Sequence, residues 1–287
     1  MEFGAYARPD AALSDTAFCL GAFFENRPQI VHESKNLPPD TNAQINRTVF
    51  RINRMLRGHL EIPDKVQIRV SVIEKEPQAK HGILSVGRQI TLSKGLNTDP
   101  RYFKTILAHE YGHSIFHANL KNDPAIGRLL DSHRIPRHVY QAAKAVLRPY
   151  DEFFADLVAI ISESDGSAVR LTLTPEGVLK DGIKEAHARD FTFNHRLEYW
   201  TAEGPYSQLS PSRNYLWSII SKNQEIITKD PGQILSNTLD AIKEQLTKRI
   251  AEISRRGFPA PGPFKMGKVE EINRDFIESL QRAFAHF

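Results

Sequence analysis

Two pairs of polar residues, each spaced four apart, constrain the folding of this 287-residue chain more than any other feature. His109 and His113 lie within Ile106 to Phe116, and Glu152 and Asp156 within Tyr150 to Ser162; both stretches carry helical patterning. Residues at i and i+4 share a helical face, about 6 Å apart along the axis. The two carboxylates interrupt an otherwise apolar run, Phe153-Phe154 to Leu157-Val158-Ala159-Ile160-Ile161, where an unpaired charge is costly. Packing that face against the histidine face removes the cost. The two helices are therefore expected to meet there.

The rest of the chain falls around this pair. Thr48 to Leu60 places Val49, Ile52, Met55 and Leu56 on one helical face, with arginines elsewhere. Lys65 to Ile73 alternates strictly and predicts a half-buried strand, and Gly82 to Ser93 predicts one or two more. From Asp99-Pro100 onward the pattern is helical: Arg101 to Leu120, Pro124 to Asp131, Arg137 to Leu147, Tyr150 to Ser162, Arg213 to Thr228, Gly232 to Arg255 and Lys268 to His286. Val169 to Thr174 reads as a short β-like piece, and Gly257 to Gly267 as a Pro/Gly-rich linker. The expected class is α+β, a small N-terminal mixed sheet with the histidine helix followed by a mainly helical C-terminal body. The expected division is an irregular lead-in over 1–42, the sheet and both site helices over 43–165, and a helical subdomain closing the cleft over 166–287.

Composition excludes several classes. No stretch approaches the 18 or more apolar residues of a spanning helix. Ala17 to Phe24 is short and has no basic region before it, which makes a poor signal peptide. A cytoplasmic location is the default, and an extracytoplasmic one follows if the chain is a processed form. The single cysteine, Cys19, rules out an internal disulfide framework and a cysteine-rich zinc site. A net charge of +4 from well-mixed residues gives no ground for specific nucleic-acid binding.

The chemistry is carried by His109-Glu110-Tyr111-Gly112-His113. Both imidazoles can reach one metal ion, with Zn–N bonds of about 2.0–2.1 Å. Glu110 sits beside the ion, where it can take a proton from a bound water and pass it to a leaving amine. Two histidines leave a catalytic zinc one protein ligand short. His117 lies two turns, about 12 Å, from His109, too far to share the ion, and reads as a supporting residue. Glu152 is the better third ligand. Asp156 would accept a hydrogen bond from a liganding imidazole. Asp151 reads as a solvated acid at a helix start, favoured by the dipole.

This H-E-x-x-H followed by E-x-x-x-D resembles the gluzincin, or thermolysin-like, zinc metallopeptidases over about residues 105 to 160. The resemblance implies a zincin-like fold and one Zn²⁺ held by His109, His113 and Glu152. It also implies Glu110 as general base, Asp156 behind the ligands, and a peptide or protein substrate. It departs from the pattern in the 38 residues between His113 and Glu152, a longer connection. By the same resemblance a downstream Tyr or His stabilises the oxyanion, for which His195 and Tyr206 are the candidates, while Arg213 is a candidate for a substrate or product carboxylate. The strand before the helix, Ile83 to Leu92, would pair with substrate. Two other readings stand beside it. One is an inactive metallopeptidase-like binding protein. The other is a DNA-associated metalloprotease of the SprT type, taking its third ligand from His133 or His138 and using Arg134, Arg137 and Lys144 as a thin basic patch.

Overall fold

A computed structural model describes residues 29–32, 40–63, 66–71, 78–80, 88–93, 100–130, 135–173, 183–193, 204–257 and 266–286. Helix α1 spans Asp40–Leu56, α2 Pro100–Lys121, α3 Arg137–Glu163, α4 Ala168–Leu173, α5 Ile183–Ala188, α6 Ser210–Ile220, α7 Gln224–Lys229, α8 Pro231–Arg255 and α9 Met266–Ala283. A 3₁₀ turn covers Gly127–Leu130. Four short strands are described: β1 Gln29–His32, β2 Val66–Ser71, β3 Gln78–Lys80 and β4 Arg88–Ser93, in the order β1-β2-β4-β3. The first three in that order run parallel, and β3 is antiparallel to β4.

The fold class is helical, which corrects the α+β expectation. Alternating apolar residues do mark strand segments, and the two strand side chains that are described, Val66 and Ile90, lie in the core, but helices make up most of the described residues. Helix-on-helix packing supplies the rest of the core. Helix α2 is buried almost all round, through Phe103, Leu107, Tyr111, Ile115, Phe116 and Leu120, because α1, α3 and the strands surround it. Helix α3 is the axis of the molecule. It packs on α2 along one side and on α8 along another, and Tyr150 and Phe153 meet Phe276 of α9 edge-on at 5.2 and 5.1 Å. One contiguous core runs from Ile45 to Phe284 among the described residues.

Several boundaries differ from those predicted. Arg137 to Leu147 and Tyr150 to Ser162 form one helix, with Pro149 inside it. Pro149 forgoes one backbone hydrogen bond, and its buried neighbours Leu147, Tyr150 and Phe153 hold the helix through that gap. Val169 to Thr174 is not β-like, since α4 occupies Ala168–Leu173. Pro124 to Asp131 makes only the 3₁₀ turn, and Arg213 to Thr228 divides into α6 and α7. Helix α1 begins at Asp40, inside the stretch expected to be irregular. Of the strand expected over Ile83 to Leu92, residues 83–87 lie outside the described residues; β4 is flanked by β2 and, over Gln89–Thr91, by β3. No helix among the described residues is long and apolar enough to cross a membrane.

Candidate metal centre

Helices α2 and α3 approach closely because Gly112 faces Ala155. A Cβ at Gly112 would lie 2.8 Å from the Ala155 Cα and 3.2 Å from its carbonyl oxygen, so only glycine allows this spacing. The close approach brings three side chains together. His109 Nε2 and His113 Nε2 stand 3.2 Å apart, and each is 3.6 Å from Glu152 Oε2. A tetrahedral ion with ligand bonds of about 2.0–2.1 Å needs ligand atoms about 3.3 Å from one another. The triangle matches that requirement, and the His109, His113 and Glu152 group can hold a metal ion.

Each imidazole is fixed from behind. His109 Nδ1 lies 3.0 Å from Asp156 Oδ1. His113 Nδ1 lies 2.7 Å from Asp151 Oδ1, and the other oxygen of Asp151 is 3.1 Å from His117 Nε2. Each carboxylate fixes the tautomer that leaves Nε2 facing the triangle. Burial pulls the His113 imidazole down, but the carboxylates of Asp151, Glu152 and Glu110 outweigh it and push it up to about 10. Their negative charge holds a proton on His113 and would hold a cation in the proton's place. Burial pushes the Asp151 carboxyl up, but His113 and His117 outweigh it and hold it well below the usual range.

Asp156 does more than orient His109. Arg189 donates to its Oδ1 through Nη2 at 2.6 Å and Nε at 3.1 Å, and Arg213 donates to its Oδ2 at 2.8 Å. The Asp156 side chain and Arg213 are fully buried. Burial pushes the Asp156 carboxyl up, and the two guanidiniums override this and hold it far below the usual range. Arg189 also places Nη2 3.2 Å from both ring nitrogens of His109, and its guanidinium lies over the Tyr206 ring at 4.6 Å. Its Nη1 makes no hydrogen bond among the described residues. Glu110 is 7% exposed, and its carboxylate makes no hydrogen bond or ion pair among the described residues.

The structure thus gathers His109, His113, Glu152 and Asp156 around one point, with Glu110 acting electrostatically on His113 and Tyr206 joined to the group through Arg189. It corrects two other readings. Asp151 is not a solvated helix-start acid: the helix begins fourteen residues earlier, and Asp151 bridges His113 and His117. Arg213 is too deeply buried to meet a substrate carboxylate, and holds Asp156 and the Tyr206 carbonyl instead. Arg189 was missed, because a lone arginine in His187-Ala188-Arg189-Asp190 has no diagnostic spacing. His195 and His133 lie outside the described residues, and His138 is exposed at the far end of α3 from Glu152. Compared with protein-family models, curated proteins and solved structures, the chain matches none of them.

Proposed function

We propose that this chain is a zinc-dependent peptidase of the gluzincin kind. The observation that carries the reading is the triangle of His109, His113 and Glu152, with the Glu110 carboxylate acting electrostatically on His113. Imidazole and carboxylate donors suit zinc, and three protein ligands leave one position open for water or substrate, as catalytic zinc sites require. A zinc ion held there would supply an acidified water and polarise the scissile carbonyl.

The chain's own groups supply the remainder. Glu110 takes the proton from the attacking water and delivers it to the departing amine nitrogen. Asp156 and Asp151 keep the imidazoles oriented. Arg189, anchored by Asp156 and stacked on Tyr206, presents Nη1 as a donor for a substrate oxygen. His195 stays a candidate for the same task.

Zinc content and turnover together test the reading. Purified protein should carry close to one equivalent of zinc, and His109→Ala or His113→Ala should lose most of it. Glu110→Gln should keep the zinc yet cut an unstructured protein about 10²–10⁴-fold more slowly, the range for a lost general acid–base. Equal cleavage by wild type and Glu110→Gln refutes the catalytic role. Bound zinc without cleavage by either favours the binding-protein alternative.

A further inference from the structure

Between Asp131 and Asp151 the sequence has no acidic residue, but it carries Arg134, Arg137, Lys144 and Arg148. The last three lie on α3. At 3.6 residues per turn, Arg137, Gln141, Lys144 and Arg148 fall within an arc of about 60°. With Tyr140 and Ala145 they line an open groove of about 640 Å³. All three cations are exposed, and none makes an ion pair or hydrogen bond among the described residues. The next acid along this face, Asp151, is already held by His113 and His117. Glu152 lies on the edge of the same arc, one turn or about 6 Å beyond Arg148. The cationic face therefore leads along α3 toward the metal ligand.

We propose that this groove binds an acidic segment of the protein substrate and holds it along α3 beside the metal triad; this rests on the peptidase reading. Arg137 and Arg148 are separated by about 16 Å of helix. That is the length of about five extended residues at about 3.3 Å each. A short acidic strand can thus satisfy all three cations. Its charge complements theirs, and no acid among the described residues pairs with them. Nucleic acid fits less well: three cations neutralise few phosphates, and a nucleic-acid site draws on a broad basic surface.

Fluorescence anisotropy tests the assignment directly, using an acidic octapeptide, a neutral octapeptide and a single-stranded oligonucleotide. The protein is compared with the triple variant Arg137→Gln, Lys144→Gln, Arg148→Gln, whose exposed changes leave the core untouched and whose folding circular dichroism verifies. The acidic peptide should bind in preference to the neutral one and more weakly as salt rises. The triple variant should bind it about tenfold less tightly, since three screened pairs each contribute a few-fold. Cleavage of an unstructured protein with and without an acidic tail gives the second readout. The tail should lower KM in the wild type and not in the variant, with kcat unchanged. Equal peptide affinity in both proteins overturns the groove assignment. So does an oligonucleotide that binds more tightly than the acidic peptide and is released by the triple substitution. A wild type that holds no zinc and cuts neither substrate overturns the peptidase reading itself. Wild-type cleavage without a tail effect overturns the groove alone.

Discussion

Replacing Asp156 by Asn removes one negative charge from a site with two buried guanidiniums. The Asp156 and Arg213 side chains are fully buried and the Arg189 side chain is 7% exposed, so water screens neither pair. Removing one partner of a buried ion pair costs about 3–5 kcal/mol, mostly because the remaining charge stays buried without compensation. Asn keeps a carbonyl acceptor, and Arg213 keeps the Tyr206 carbonyl, which places the expected loss within that range rather than at twice its value. Against a total stability of about 5–15 kcal/mol the loss is large. The assay is urea unfolding at pH 7 with metal removed by chelator, which separates folding from metal binding. Adding Arg213→Met to Asp156→Asn should recover part of the loss, because it removes an orphaned charge. A single-variant loss below about 1 kcal/mol, the worth of an ordinary hydrogen bond, would refute the buried-charge argument. The acid limb checks it independently. The folded-state carboxyl lies below its unfolded value of about 3.9. Its contribution is therefore complete above about pH 5 and is lost as pH falls further. The Asn variant should be less stable at neutral pH and lose less between pH 5 and 2.

Other outcomes follow from the same geometry. Asp151→Asn should weaken metal binding about 10–100-fold, the usual effect of losing a carboxylate behind a liganding imidazole; chelator competition measures it, and an unchanged affinity would remove Asp151 from the site. Gly112→Ala drives a Cβ into the backbone of Ala155 and should destabilise the fold by about 1–3 kcal/mol through overpacking. It should also lower zinc occupancy, because the helices carrying the ligands move apart, and a variant with full stability and full zinc would show that the contact does not set their spacing.

The sequence alone picked out the three residues that the fold brings together as a group able to hold a metal ion. His109 with His113 and Glu152 with Asp156 are spaced to share faces, and carboxylates within an apolar helix demand a partner, so local periodicity and the cost of buried charge suffice to pair them. It also located most of the long helices, because a buried stripe repeats every three to four residues whatever it packs against. Only the tertiary structure decided the role of Asp151. Pro149 suggests a helix start beside it, but packing around Tyr150 and Phe153 carries α3 straight through, and an expected surface acid becomes the bridge between His113 and His117. The same holds for Arg189 and Arg213, which arrive at Asp156 from 33 and 57 residues away. A guanidinium finds its carboxylate through the fold, and sequence spacing has no record of contacts made across such distances. The fold class was decided in the same way, because alternation marks a strand segment, whereas helix-on-helix packing makes most of the described residues helical.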